Sequence, residues 1–246
     1  MVRGHAGIAI GLCSSLALLV ACKSSTTEHG VQAGELGRGT FTYSCGSGAD
    51  AECNDNSDLA IVDPATNLPS VAVGATFSIG YKSNQTNAVG ISQSGDLDLL
   101  AVDSKGSKPG FLAKRAGFVA VVGVYLVNED LVHVHVEELD HLEFANTTPT
   151  AGGSFKGAVT VPGLTVSASA AVAPTMLLRV VPMTKDRRLL AGALACQWTS
   201  TDPTLIQIDG PATQNIVSIK LLKSGTGKLH VTLGTLASDV TLTVGS

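Results

Sequence analysis

Aromatic side chains are scarce in this 246-residue chain, which has six Phe, three Tyr and one Trp. A sugar-binding platform of exposed stacked rings has little to draw on, above all if Trp198 is needed inside. Charge is sparse as well: 15% of residues, 16 Lys and Arg against 20 Asp and Glu, a net of -4. That balance leaves no electrostatic footprint for nucleic acid, so no such partner is expected. The motifs of catalysis are missing too. There is no Gly-x-Ser-x-Gly elbow, no Ser-x-x-Lys with its companions, no phosphate-cradling Gly-Lys loop and no dinucleotide fingerprint. Glu137 and Glu138 are adjacent, and neighbours on a strand face opposite ways, which defeats a carboxylate pair. Neither an enzyme nor a bound cofactor is expected. No stretch holds a long helical period, and the longest apolar run, Ala6 to Ala21, has about sixteen residues where a membrane span needs roughly twenty.

That run is nonetheless informative. Arg3 and His5 give a weakly positive start, and the apolar stretch ends in Leu19-Val20-Ala21-Cys22. The ending resembles the lipobox of bacterial lipoproteins, in which small residues fit a peptidase cleft and the cysteine takes a diacylglycerol. Residues 1–21 are then a cleaved signal peptide, and Cys22 is the lipidation site. Cys13 lacks the small residue immediately before its thiol. Without an aspartate after Cys22, the resemblance implies the outer membrane, on its periplasmic face or at the cell surface. Residues 22–38, rich in Ser, Thr, Gly, Glu and Gln, read as a flexible tether.

Three cysteines remain in an oxidising compartment. Cys45 and Cys53 flank a polar, turn-forming loop that can bring them into disulfide range. Cys196 is left over, in an apolar run where a buried, inert thiol is expected.

What the chain has in quantity is β-forming sequence: Val, Thr, 27 Gly and short apolar runs between turn residues. The runs fall into two series. The first holds 40–44, 59–63, 71–81, 97–103, 117–126 and 131–136. The second holds 142–144, 154–161, 164–170, 175–182, 189–198, 205–209, 216–222, 229–236 and 240–244. The series also align with each other: Leu99 to Asp103 with Leu205 to Asp209, Ala116 to Val121 with Thr226 to Val231, and Val132-Val134-Val136 with Val240-Leu242-Val244. The offsets are 106, 110 and 108, which points to a degenerate tandem repeat with altered loops. Each strand has one apolar face to bury, and two packed sheets per series bury them.

In the second series, Gln197-Trp198-Thr199-Ser200-Thr201-Asp202-Pro203, then Ile206-Gln207-Ile208-Asp209, then Gly225-Thr226-Gly227-Lys228-Leu229-His230-Val231-Thr232 resemble the group 2 bacterial immunoglobulin-like domain. The resemblance implies that Trp198 is a core plug and that Asp-Pro turns the chain between strands. Val71 to Phe77 is similar to that family's early strand. The expected fold is therefore all-β, with two tandem immunoglobulin-like β-sandwich domains, 39–138 and 139–246, behind the lipidated tether.

Candidate chemistry is confined to two places. His133 and His135 share a strand face, with Glu137, Glu138, Asp140 and His141 following. They could hold Zn²⁺ if a third ligand converged, or be a polar edge opposite Val132, Val134 and Val136. Asn54, Asn56 and Asp58 alternate as in a calcium loop. An EF-hand needs Gly where Leu59 stands and Glu where Ala65 stands, so they read as turn formers. The expected function is a lipid-anchored envelope protein with a structural, adhesive or partner-binding role. Its partners are the membrane, through Cys22, and an unknown protein or cell-surface component. The alternative is an envelope protein binding a metal or small molecule through His133 and His135.

Overall fold

The computed structural model describes residues 28–44, 49–51, 66, 68–103, 110–146, 165–169 and 175–245. The signal region, Cys22, Cys45, Cys53, the Asn54 to Asp58 stretch and the runs at 59–63 and 154–161 lie outside them. The first half contributes β1 (Glu28–Ala33), β2 (Gly39–Ser44), β3 (Ala49–Asp50), β4 (Val71–Ala72), β5 (Thr76–Ser83), β6 (Ile91–Ser94), β7 (Leu100–Asp103), β8 (Gly110–Ala113), β9 (Gly117–Tyr125) and β10 (Asn128–Glu137). The second contributes β11 (His141–Asn146), β12 (Thr165–Ser169), β13 (Thr175–Met183), β14 (Ala193–Leu194), β15 (Cys196–Ser200), β16 (Ile206–Ile208), β17 (Ile216–Leu221), β18 (Gly225–Leu233) and β19 (Leu236–Gly245). The protein is all-β.

Two sandwiches share one plan. In the first, β1-β2-β5, extended by β8 and β7, faces β4-β10-β9-β6; in the second, β11-β13-β17-β16 faces β12-β19-β18-β15. Even the exceptional parallel pairing repeats, β4 on β10 and β12 on β19. Alternation builds each sheet: Val132, Val134 and Val136 of β10 point inward and are buried, while Leu131, His133 and His135 point out.

The strand pairing corrects one alignment. Ser92 opposes Gly123 as Trp198 opposes Val231, so β9 and β18 correspond at an offset of 108, with Gly117 matching Gly225 rather than Gly227. Both glycines sit at left-handed φ, 147° and 143°. A two-residue slip keeps every side chain on its own face, which is why alternation alone misses it.

The tether reading is corrected as well. Residues 28–33 of the 22–38 segment form β1, paired to β2 along its length, and Gly34 to Arg38 is a fixed turn. The turn is held by Asp130, 1% exposed, whose carboxylate receives the backbone N–H groups of Leu36, Arg38, Gly39 and Leu131 at 2.7–2.8 Å. Four N–H donors satisfy a buried charge that would otherwise be costly. A Cβ at Gly34 would lie 2.2 Å from that carboxylate.

Two runs read as single strands are broken. Val71 to Tyr81 turns at Gly74 (φ 84°), sending β4 to one sheet and β5 to the other. Leu189 to Trp198 turns at Gly192 (φ 98°), where a Cβ would meet that of Ala75 at 2.5 Å. Both halves of each run are buried, so the apolar pattern passes through the switch unmarked.

That second run also ties the sandwiches together. β14 pairs with β3 and β5 of the first sandwich, and Ala191 exchanges backbone bonds with Ser70 and Ala72. Polar groups are buried alongside: Asp50 accepts from Tyr43 Oη (2.8 Å) and Gly192 N (3.1 Å), and Arg179 donates to the Ala51 carbonyl. One apolar core runs through both sandwiches. The chain passes from β10 to β11 over 138–140, yet its later segment returns to complete the first sandwich.

The aromatic plug changes sheets between the copies. Trp198 of β15 packs against Phe144, ring centroids 6.2 Å apart, and its Nε1 donates to the Gln214 carbonyl at 2.8 Å. In the first sandwich its register partner is Ser92, and Phe41, which matches Phe144, packs instead on Tyr81 of β5 at 4.9 Å. Gly123 makes room, since a Cβ there would lie 2.3 Å from the Tyr81 ring. The first copy lacks a Trp because a Tyr on the opposite sheet fills the same space.

Candidate functional site

His133 and His135 do share the outer face of β10, but each is committed to its own partner. His133 Nδ1 lies 2.6 Å from Glu35 Oε1. The His135 ring stacks on Phe118 at 4.0 Å and 8°, with Nδ1 3.3 Å from Glu137 Oε1; Arg188 Nη2 holds the other Glu137 oxygen at 2.5 Å. His141 is drawn away onto β11, where it meets Asp140 at 2.8 Å and Glu143 at 3.3 Å. Glu143 is fully buried and gripped by Arg187 through Nε (2.8 Å) and Nη2 (3.2 Å), a bidentate pair. Among the described residues no three His, Cys, Asp or Glu side chains are grouped to hold a metal ion. The stretch that looked like one cluster is divided between two sheets.

Cys196 and Trp198 are both buried on the inner face of β15. The Cys196 Sγ donates to the Gln214 carbonyl at 3.2 Å, and burial pushes its thiol up to about 12. Its thiolate is therefore negligible at neutral pH.

The outward faces of the two matched sheets differ in chemistry. On β18 and β19 the outward side chains include Thr226, Lys228, His230, Thr232, Asp239 and Thr241, with His230 and Asp239 joined at 2.8 Å. At the matching positions of β9 and β10 stand Phe118, Ala120, Val122, Val124, Leu131 and His133, and Ile91 of β6 opposes Val124. Phe118 and Ile91 are 53% and 54% exposed. An apolar stripe, exposed at Phe118 and half-buried at Ala120, Val122 and Val124, thus runs the length of β9 where the other copy carries charge and hydroxyls. Single-copy alternation could not find it, because Val and Ile at outward positions read as ordinary strand formers.

Beside that stripe an open trough of about 710 Å³ lies over the outer face of β2 and β5. Thr40, Thr42, Ser78 and Lys82 line its floor, and Val31 and Val89 are among its apolar lining residues. It offers shape and hydroxyls without an acid and base placed to work together.

No protein-family model matches the chain, and no curated protein matches it. Solved structures do. Domains 4 and 5 of the S-layer protein SbsC align at 10% identity and TM-score 0.30, over 72% of this chain and 92% of that one. The Yersinia pseudotuberculosis adhesin InvE aligns at 11% and 0.27, over 70% and 56%. An endo-fucoidan hydrolase of glycoside hydrolase family 107 aligns at 13% and 0.34, over 72% and 28%. Superpositions this loose leave what those proteins do with those proteins.

Proposed function

We propose that this chain is a lipid-anchored, non-catalytic protein of the bacterial cell envelope that holds a partner on the outer face of β6, β9 and β10. Cys22 at the end of a lipobox-like run supports the anchor, and the resemblance of residues 175–246 to a group 2 bacterial immunoglobulin-like domain supports a binding or spacer module. The observation that carries the partner-binding role is the contrast between the copies. The same fold tolerates a largely polar face on β18 and β19, so the apolar stripe on β9 is not demanded by folding. Both histidines on that face are already paired with carboxylates, which suits an apolar β surface of another envelope protein better than a charged partner.

The test is crosslinking in cells with a photoreactive residue at Val122 or, as control, at the matching His230. Adducts from position 122 alone are expected. Equal adducts from both positions, or none from either, refute the role of the stripe.

A further inference from the structure

The end of the first sandwich farthest from the second carries three turns stitched into one platform. Asn84 N donates to the Arg38 carbonyl at 2.9 Å and Asn84 Nδ2 to that of Gly37, joining the β5–β6 turn to the β1–β2 turn. Asp130 joins the β1–β2 turn to β10, and Gly90 lies so close to β9 that a Cβ would sit 2.4 Å from the Val124 carbonyl oxygen. From this platform project Leu36, Val89, Leu126 and Val127, exposed by 55%, 78%, 78% and 89%.

The β9–β10 turn shows that these side chains are kept against the backbone's preference. Leu126-Val127 form a two-residue hairpin loop with Leu126 at φ 55°. The matched turn of the second copy is Gly234-Thr235, with Gly234 at φ 59°. A first loop position at positive φ is a glycine position, and a leucine there is strained. The second copy has the residue the turn wants; the first has an exposed leucine that folding does not use.

We infer that this platform rests in the membrane interface, with Leu126 and Val127 seated among the lipid headgroups and upper acyl chains. Side chains projecting from convex turns suit a deformable apolar medium rather than a rigid complementary surface. Reach supplies the second argument, and it rests on the anchor reading above. Cys22 precedes Glu28 by six residues, a span of at most about 20 Å, and β1 itself rises about 20 Å from Glu28 towards the Leu36 turn. A lipid on Cys22 can therefore lie level with the platform, and the two attachments act together.

The experiment uses the full chain, purified with its N-terminal modification and reconstituted in phosphatidylethanolamine and phosphatidylglycerol vesicles whose acyl chains carry bromine. Emission of a Val127→Trp variant should be quenched, and that of Thr235→Trp at the matched turn should not. Wild type, with only buried Trp198, gives the baseline. In the Cys22→Ser chain, exchanging Leu126→Gly with Val127→Thr should weaken vesicle binding about tenfold or more without loss of folding, since the other copy folds with those residues. An unquenched Val127→Trp variant in acylated chains overturns the inference, as does crosslinking of that turn to a protein in cells. Mass analysis showing an unmodified Cys22 overturns the anchor reading alone; quenching on adding the same vesicles to the unanchored chain then still decides the platform.

Discussion

Moving the aromatic plug from one sheet to the other makes Tyr81 and Gly123 a coupled pair, and the coupling has a size. Tyr81 is 2% exposed, so Tyr81→Val removes most of a buried ring and should cost about 3 kcal/mol, the lower part of the range for aromatic truncation. Gly123→Val alone should cost about as much, because its Cβ would start 2.3 Å from the ring and the strand is fixed on both sides by β6 and β10. If the substitutions were independent, the double variant would lose about 6 kcal/mol, enough to unfold many domains. In the double variant, however, the new valine enters the space the ring has left, a valine suits a strand better than glycine, and the pair becomes Val180 and Val231 of the second sandwich. A loss near 2 kcal/mol is expected, hence a coupling of about 4 kcal/mol. Urea denaturation of the four chains measures it, with equal slopes required before midpoints are compared. Additive losses would refute the claim that Tyr81 stands where Trp198 stands.

Asp130→Ala should cost about 3 kcal/mol and abolish hydrogen-exchange protection at Leu36, Arg38 and Gly39, because these donors and Leu131 N–H lose a buried acceptor; retained protection would mean that the turn stands without it. Native Cys196 should resist thiol reagents at pH 8.5 and react at once in urea, since a thiol raised to about 12 stays protonated there. The sign follows: the folded state holds this proton more tightly, so the contribution of Cys196 is complete below its unfolded value and is lost as pH rises towards 12, and Cys196→Ala should flatten that alkaline decline. Trp198→Phe should destabilise by about 1–3 kcal/mol through loss of the indole hydrogen bond to the Gln214 carbonyl and the smaller ring, read by the same urea midpoint.

The strands legible in the sequence are those with one wet face. Alternation places β2, β9, β10, β17, β18 and β19 within a few residues of where they form, because every second side chain must find the core. It fails where that condition lapses. β6 is Ile-Ser-Gln-Ser, whose inward positions, Ser92 and Ser94, are small and polar, so no apolar period marks it. β1 looks like tether because the turn that returns it to its partner β2 is held by a carboxylate ninety-odd residues away, and local composition cannot report a contact of that range. The His133 to His141 stretch looks like one cluster because sequence proximity stands in for spatial proximity until the chain leaves β10 at Glu137.

The repeat supplies what a single strand pattern cannot, a measure of which residues the fold requires. Asp96 and Asp202 each accept backbone N–H bonds two residues on and begin the same turn, Gly117 and Gly225 hold the same left-handed φ, and Phe41 and Phe144 each pack on the plug. Agreement at matched positions marks folding demand, since the two copies meet the same geometric problem. Disagreement inside the core is compensated nearby, as Tyr81 with Gly123 against Val180 with Val231. Disagreement on the surface has no such compensation: nothing in the first sandwich needs Val122 where His230 serves, or Leu126 where Gly234 serves. Those uncompensated differences converge on one sandwich, along β9 and the turn that ends it. A chain that keeps aliphatic side chains in water there, at the cost of solubility and of backbone strain, is presenting them to something outside itself.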